Sequence, residues 1–267
     1  MNTEWKMAAL DHGTEKAGKD LLRALVDGTC SVVVIRHLLP EADFSANRRR
    51  ISPLFERAVT THYANSTLTT IGPYLAKNIG RMDDYFHEAR EAEKLTATVS
   101  FDLARRTRDA LREAFDLTSF EPAVEPDGQR YAESNVRIYS HGIRTPLHND
   151  NIMRDAAGKG LVVSRLRHQL SCVVCIQECD EGGELRAYQK AWESADERYK
   201  IIDGFGYDEA VVADVPRQDF KPQVGDVYLL NPTFYHSIEE VTGSDRVTMG
   251  FFFGFYDDEL SAGVTWV

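Results

Sequence analysis

Beyond residue 130 the chain breaks into short runs of β-branched and aromatic residues separated by turn signals, and this rhythm constrains the fold more than any other feature. The runs fall at residues 135–139, 170–177, 184–188, 210–215, 226–230, 236–241 and 246–255. Between them stand Gly182-Gly183, Gly225-Asp226 and Gly243-Ser244-Asp245. Many short strands joined this way favour two antiparallel sheets packed as a jelly roll over a parallel sheet with crossover helices. The expected fold is mixed α+β, mainly β: a jelly-roll core with buttressing helices on its N-terminal side.

The first half supplies those helices. Residues 31–39, SVVVIRHLL, read as a strand, and Pro40 opens a helical run through Asp43, Arg48 and Phe55, so the chain is expected to start with a strand-helix unit. Between Tyr74 and Phe115 the pattern is mostly helical, with YLAKNIGRMDDYFHEA followed by FDLARRTRDALREAF, whose Leu103, Leu111 and Phe115 share one side. Pro122, Pro126 and Gly128 then mark a loop. Helical support is assigned mainly to residues 41–118 and the jelly-roll core to about 131–256. With 267 residues and no repeat, low-complexity tract or linker, residues 1–267 are expected to form a single domain.

A net charge of -11 argues against a nucleic-acid polymer as partner, because displacing counterions from phosphates needs a basic surface. It does not exclude a small anionic substrate in a locally basic pocket. Residues 1–18 are too polar for a secretory signal and no stretch reaches the length of a membrane span, which implies a cytoplasmic protein without membrane contact. Cys172, Cys175 and Cys179, with His168 just before them, resemble a zinc cluster only by spacing. Val173, Val174 and Ile176 make the segment a buried strand, where residues three apart point to opposite faces, so these cysteines are read as small packing residues.

The chemistry-bearing residues start with RIYSHGIRTPLHNDNIM, in which His148 and Asp150 lie two apart and project from one face of an extended segment. Imidazole and carboxylate are the donors of a 2-His-1-carboxylate iron site, which leaves adjacent coordination positions open. An H-x-D alone arises by chance in a chain with eight histidines and 42 acidic residues. The second half of the signal is NPTFYHSIEEVTGSDRVTMGFFF. His236 begins a strand, residues 243–245 turn the chain, and Arg246 opens the next strand, which predicts a hairpin that brings the Arg246 guanidinium back toward the site. A planar guanidinium can grip a carboxylate through two hydrogen bonds. 2-Oxoglutarate suits that arrangement, with its keto acid end on iron, its far carboxylate on Arg246, and Thr248 on the same face as a further donor. Taken singly, His236 fits a core histidine and Arg246 a surface charge paired with Glu239 or Glu240; it is their joint order along the chain that points to a site.

On the pieces HNDN, GGELRAYQKAW, VGDVYLLNPTFYHSI and DRVTMGFFF, spanning about residues 131–256, the sequence resembles the Fe(II)/2-oxoglutarate dioxygenase superfamily, which implies that the core is a double-stranded β-helix (jelly-roll, cupin-like). More narrowly it is similar to the standalone small-molecule branch that holds hydroxylases of N-acyl amino acids and carrier-independent alkaloid halogenases, and IGPYLAKNIGRMDDYF looks like that branch too. The resemblance implies Fe(II), 2-oxoglutarate and O2, with His148, Asp150 and His236 as metal ligands. Halogenases of the branch have glycine in place of the carboxylate, opening an iron position for chloride; Asp150 is present here, which implies hydroxylation. Tyr139 is implied as a cosubstrate contact, while Asn231 and Pro232 shape the turn into His236.

Substrate contacts in that branch come from the helical additions and from residues beside the first ligands, which singles out Tyr74, Lys77, Ile79, Arg81, Asn151 and Ile152. Arg81, Arg137 and Arg186 together suggest a positive patch for an anionic small molecule. The partner is therefore expected to be a small-molecule substrate, with room left for a homodimer. Two other classes compete: a non-catalytic cupin-like protein that binds a metal or ligand, and a zinc hydrolase, since the same donors satisfy zinc. Arg246 separates the first of these from an oxygenase, because a metal-binding barrel needs no carboxylate anchor at that offset.

Overall fold

The computed structural model describes residues 5–267; residues 1–4, the start of the stretch expected to be too polar for a signal, lie outside them. The chain opens with β1 (Lys6–Asp11), α1 (Lys19–Val26), β2 (Cys30–Arg36) and α2 (Glu41–Ile51). The strand-helix unit expected at the start is thus the second such unit. β1 escaped notice because it is an edge strand paired parallel to β2, and an edge strand with only Leu10 buried carries no apolar run. By contrast Val32, Val33, Val34 and Ile35 are fully buried, as a strand covered on both faces must be.

Next come a hairpin, β3 (Val59–Tyr63) and β4 (Ser66–Ile71), then α3 (Leu75–Asn78), α4 (Met82–Ala97), α5 (Leu103–Ala114) and β5 (Ser119–Pro122). The core elements follow as β6 (Asn135–Tyr139), β7 (Thr145–His148), α6 (Ile152–Asp155), β8 (His168–Gln177), β9 (Glu181–Gly182) and β10 (Leu185–Ala191). The chain ends with β11 (Arg217–Phe220), β12 (Val227–Leu230), β13 (Phe234–Ile238), β14 (Val241–Thr242), β15 (Arg246–Phe255) and β16 (Ala262–Trp266).

All of these strands except β9 and β14, which pair with each other, form the two packed sheets expected. The major sheet runs β1-β2-β12-β8-β15-β6-β4-β3, with β16 and β5 continuing beside β15, and the minor sheet runs β11-β10-β13-β7. Between them Val32, Val34, Val173, Leu185, Ala187 and Tyr228 close one end of the interior with apolar side chains. The outer face of the major sheet packs on α1, α2 and α5 through Leu22, Leu25, Phe44, Leu103, Leu111 and Phe115. Leu103, Leu111 and Phe115 lie on one side of α5, so the helices buttress the sheet as their periodicity predicts. Cys172 faces this outer cluster while Cys175, three residues on, does not, and all four cysteines are free and buried. Among the described residues no helix is long and apolar enough to cross a membrane.

Two strand expectations need correction. Residues 210–215 do not form a strand: a 3-10 turn spans Glu209–Val212, in which the Ala210 amide donates to the Asp208 side chain at 2.8 Å, and Val211 and Val212 are buried in a cluster with Tyr207 and Tyr235. The true strand there, β11, is the polar RQDF that follows Pro216. The segment from His236 to Arg246 is also no hairpin. β13 belongs to the minor sheet and β15 to the major one, so the turn at Gly243 carries the chain from one sheet to the other. Asp180 fixes that crossing by accepting hydrogen bonds from Ser244 N at 3.1 Å and Ser244 Oγ at 2.9 Å.

Candidate active site

β7 and β13 are antiparallel neighbours in the minor sheet, and their register sets His148 directly opposite His236. The ring centroids are 4.2 Å apart. Asp150 leaves the end of β7 with its backbone N–H donating to Pro232 O at 2.8 Å, which ties it to the turn before β13. Its Oδ2 then lies 3.6 Å from His148 Nε2 and 3.7 Å from His236 Nε2. Among the described residues this is the one group of three or more His, Cys, Asp or Glu side chains whose donor atoms all fall within 4.8 Å of one another.

Both imidazoles are oriented the same way. His148 Nδ1 is 2.9 Å from Pro146 O and His236 Nδ1 is 3.0 Å from Phe234 O, each the carbonyl two residues back on its own strand. A carbonyl can only accept, so each Nδ1 carries the proton and each Nε2 keeps its lone pair for the space shared with Asp150. Burial, and next the neighbouring His148, push the His236 imidazole down to about 4, which keeps it neutral. Asp150 is 30% exposed at its side chain, on the side that opens to a cavity. The donor set therefore fits a divalent transition ion with open positions.

Arg246 starts β15 opposite Tyr139 of β6. It is 3% exposed, its Nη2 donates to Tyr228 Oη at 3.1 Å, and its guanidinium stands over the Tyr139 ring at 5.3 Å. Neither Glu239 nor Glu240 pairs with it; Glu239 accepts from Arg186 at 2.8 Å instead. Among the described residues no carboxylate forms an ion pair with Arg246, although a buried charge without an opposite charge is costly. Arg246 and Thr248 line the same small recess, about 40 Å³, as His148, Asp150 and His236. A carboxylate-bearing molecule between the triad and Arg246 would supply the missing anion.

The recess opens into a cavity of about 390 Å³ that shares Tyr139, His148, Asp150, Arg137 and Phe252 with it. Of the residues expected to touch substrate, Tyr74 and Lys77 line this cavity. The other four are engaged elsewhere. Ile79 packs on an apolar cluster and Ile152 is buried within it, Arg81 precedes α4 and pairs with Asp84 at 3.5 Å, and Asn151 caps α6 by accepting from Arg154 N at 3.1 Å. The expected positive patch does not assemble either, since Arg186 pairs with Glu239 and Arg81 with Asp84; Arg137 alone of the three reaches the cavity.

Residues not singled out beforehand complete the cover. Tyr63 and Leu68 come from the β3–β4 hairpin, and Phe205 from a glycine-flanked loop. Phe205 lies 5.0 Å from His148 and 5.1 Å from Tyr63 between ring centroids. Tyr63 Oη and Tyr74 Oη are hydrogen-bonded at 2.8 Å. Burial, then that hydrogen bond, and lastly the Asp150 charge raise the Tyr63 phenol and keep it protonated.

The comparisons with known proteins agree with this geometry. L-gamma-glutamyl-L-propargylglycine hydroxylase of Streptantibioticus cattleyicolor is 30% identical over 176 residues, 64% of this chain and 63% of the hydroxylase. Leucinostatins biosynthesis cluster protein S of Purpureocillium lilacinum is 24% identical over 47% of this chain and 51% of its own length. The chain thus spans less than two thirds of the length of either of these relatives. The solved structure of an N-substituted L-amino acid dioxygenase from Burkholderia ambifaria, in complex with alpha-KG, shares the fold with a TM-score of 0.60 at 20% identity, covering 93% of this chain and 90% of that one. The model of the family described as carrier-protein-independent halogenase WelO5 matches residues 6–262. The chain is therefore a member of the WelO5 family, within the Fe(II)/2-oxoglutarate dioxygenase superfamily, with a carboxylate at Asp150 in its H-x-D triad.

Proposed function

We propose that the protein is an Fe(II)- and 2-oxoglutarate-dependent oxygenase that hydroxylates an unactivated C–H bond of an amino-acid-derived small molecule, with release of succinate and CO2. One observation carries this reading. A buried arginine with no acidic partner among the described residues lines the same recess as two histidines and an aspartate whose free donor atoms converge. A cupin-like binder has no use for that guanidinium, and a zinc hydrolase has none for a second carboxylate anchor.

In this reading His148, Asp150 and His236 hold the iron, while Arg246 and Thr248 hold the far carboxylate of 2-oxoglutarate, with Tyr139 stacked beneath the guanidinium. Iron and cosubstrate, when bound, supply the oxidising power that removes hydrogen from an unactivated carbon. The chain's own work is to orient. The two strand carbonyls fix the imidazole tautomers, Asp150 keeps an anion where a halide would otherwise sit, and Phe205 and Phe252 exclude water from the side where substrate enters. The likeness to a hydroxylase of a γ-glutamyl dipeptide supports an amino-acid-derived substrate. The family match over residues 6–262 supports treating the whole chain as one oxygenase domain.

The test has two stages. Without oxygen, Fe(II) and 2-oxoglutarate together are expected to give a weak metal-to-ligand absorption band, and its absence favours a binding protein. With oxygen, an amino-acid-derived substrate is expected to give one succinate per hydroxylated product. Chlorinated product in the presence of chloride would overturn the role given to Asp150.

A further inference from the structure

Outside the reactive cavity, between the β3–β4 hairpin and α4, lies a second cleft of about 590 Å³. Thr61, Tyr74 and Lys77 line both spaces, so they form the neck between them. Lys77 is the cation at that neck. Its Nζ donates to Thr61 Oγ1 at 3.3 Å and lies 5.9 Å from the Tyr74 ring centroid. No carboxylate among the described residues forms an ion pair with it. Arg57 also lines the cleft and has no ion pair among the described residues.

Across the cleft, α4 presents Glu88 and Glu91. Glu91 is committed to Lys94 at 2.7 Å, whereas Glu88 only accepts from Asn78 Nδ2 at 3.4 Å. The cleft thus offers at its inner end an ammonium bonded only to a neutral hydroxyl, and on its α4 wall a carboxylate that forms no ion pair among the described residues. That is a complement to a zwitterion, the head of a free α-amino acid, rather than to an apolar chain or a polyanion.

Building on the hydroxylase reading of the inner cavity, we propose that this cleft is a second substrate subsite. It takes the distal α-amino acid head of an extended substrate, with Lys77 holding the head's carboxylate and Glu88 its ammonium, while the reacting carbon lies in the inner cavity. The substrate class is then an amino acid whose nitrogen carries a linear tail ending in a free amino acid, as in a γ-glutamyl dipeptide, and not a simple N-acyl amino acid.

Two probes separate these possibilities: L-γ-glutamyl-L-propargylglycine, with a zwitterionic head, and N-pentanoyl-L-propargylglycine, with a neutral tail of similar reach. Each is titrated calorimetrically into the protein, metal-free and again with Fe(II) and 2-oxoglutarate without oxygen. The wild type is expected to bind the γ-glutamyl ligand at least about tenfold more tightly, the difference one charge-assisted contact makes. Lys77→Met is expected to erase about tenfold for that ligand and less than about twofold for the pentanoyl one, with Glu88→Gln between. Equal losses for both ligands, no loss, or a wild type that binds both alike or neither would overturn the subsite. The absorption band from iron and 2-oxoglutarate reports on the other reading. If it fails to form while the metal-free protein still prefers the γ-glutamyl ligand, the reaction assignment falls and the subsite stands.

Discussion

His148 and Phe205 touch across the cavity, yet the chain secures them by different means. His148 is the last residue of a strand, paired in register with His236, and its ring is locked to a carbonyl of its own strand at 2.9 Å. Phe205 sits in a loop whose backbone is tied to β7 just beyond it, by Tyr207 N donating to Leu147 O at 2.8 Å, while Phe205 itself is held by one side chain: Asn65 Nδ2 donates to Phe205 O at 2.9 Å and Asn65 Oδ1 accepts from Phe205 N at 2.8 Å. Tyr63 likewise relies on Tyr74, and Lys77 on Thr61. The platform that carries the triad and Arg246 is fixed by sheet hydrogen bonds, which cannot be altered without loss of the sheet. The cover is rooted in backbone pairing, as where Tyr63 ends β3 opposite Ser66, but the tips that face the cavity are set by side-chain pairs, each replaceable alone. Reaction type is therefore built into the rigid part and substrate choice into the part that tolerates change.

The sharpest way to break this division is to alter the platform and look for anything short of collapse of the chemistry. Asp150→Ala, in chloride-free buffer, is expected to cut succinate formation at least about a thousandfold and to weaken Fe(II) uptake strongly, because two imidazoles alone hold the ion weakly when no anion takes the place of the carboxylate. Retention of both within about tenfold would remove Asp150 from the site. Arg246→Met comes next. It is expected to raise the KM for 2-oxoglutarate about a hundredfold with a smaller change in kcat at saturation, since the lost contact is to the bound cosubstrate before and during reaction. Arg246→Lys is expected to recover part of that loss, as a point charge without the fork. A KM that ignores both variants would leave the buried guanidinium a structural group tied to Tyr228.

How much of this was legible in the residues follows the same boundary. His236 and Arg246 lie on strands whose apolar neighbours announce them, FYHSI and RVTMGFFFGF, whereas β7 is the short TPLH with Asp150 just beyond its end, so the H-x-D pair is legible from its spacing and its place in the chain. Even so, the route from His236 to Arg246 is not legible: a glycine turn between two strands reads alike whether it closes a hairpin or crosses between sheets. The cover left weaker traces. The β3–β4 hairpin, VTTHY and STLTTI, is threonine-rich and half exposed, with no alternation to mark it. The resemblance implies Ile79 and Arg81 together with Tyr74 and Lys77, since all four belong to the helical additions, but Ile79 packs on an apolar cluster and Arg81 pairs with Asp84. Phe205 stood in IIDGFGYD, where two glycines mark a turn and nothing tells which way the aromatic points.

Those glycines give a test at the seam between platform and cover. Gly206 has φ +87°, and a Cβ there would collide with Leu147 O, the carbonyl just before His148. Gly206→Ala is expected to cost about 3 kcal/mol in thermal unfolding, from left-handed strain plus the close approach, and to weaken Fe(II) binding as His148 shifts. Gly204→Ala is expected to act on the cover instead: its Cβ would meet only the Ile201 and Asn65 side chains, which can move. A Gly206→Ala variant as stable as wild type would mean the loop is not pressed onto the strand that bears the ligand.

The smallest effect expected is also the one that most directly probes the cover. Asn65→Ala deletes both hydrogen bonds to the Phe205 backbone but touches neither the triad nor Arg246, so global stability is expected to fall by only about 1 kcal/mol. The loop it releases already carries Ile202 at 88% exposure, and protease cleavage near that residue is expected to accelerate. Phe205 would then leave His148 part of the time and admit water beside the open face of the triad. The measurable consequence is uncoupling: succinate still forms at close to the wild-type rate, while hydroxylated product per succinate drops about threefold. Asn65→Asp, which can accept from Phe205 N but not donate to Phe205 O, is expected to fall between the two. If coupling is unchanged in Asn65→Ala although the loop becomes protease-sensitive, Phe205 does not guard the site, and the task of excluding water passes to Phe252, which belongs to β15 and hence to the rigid platform.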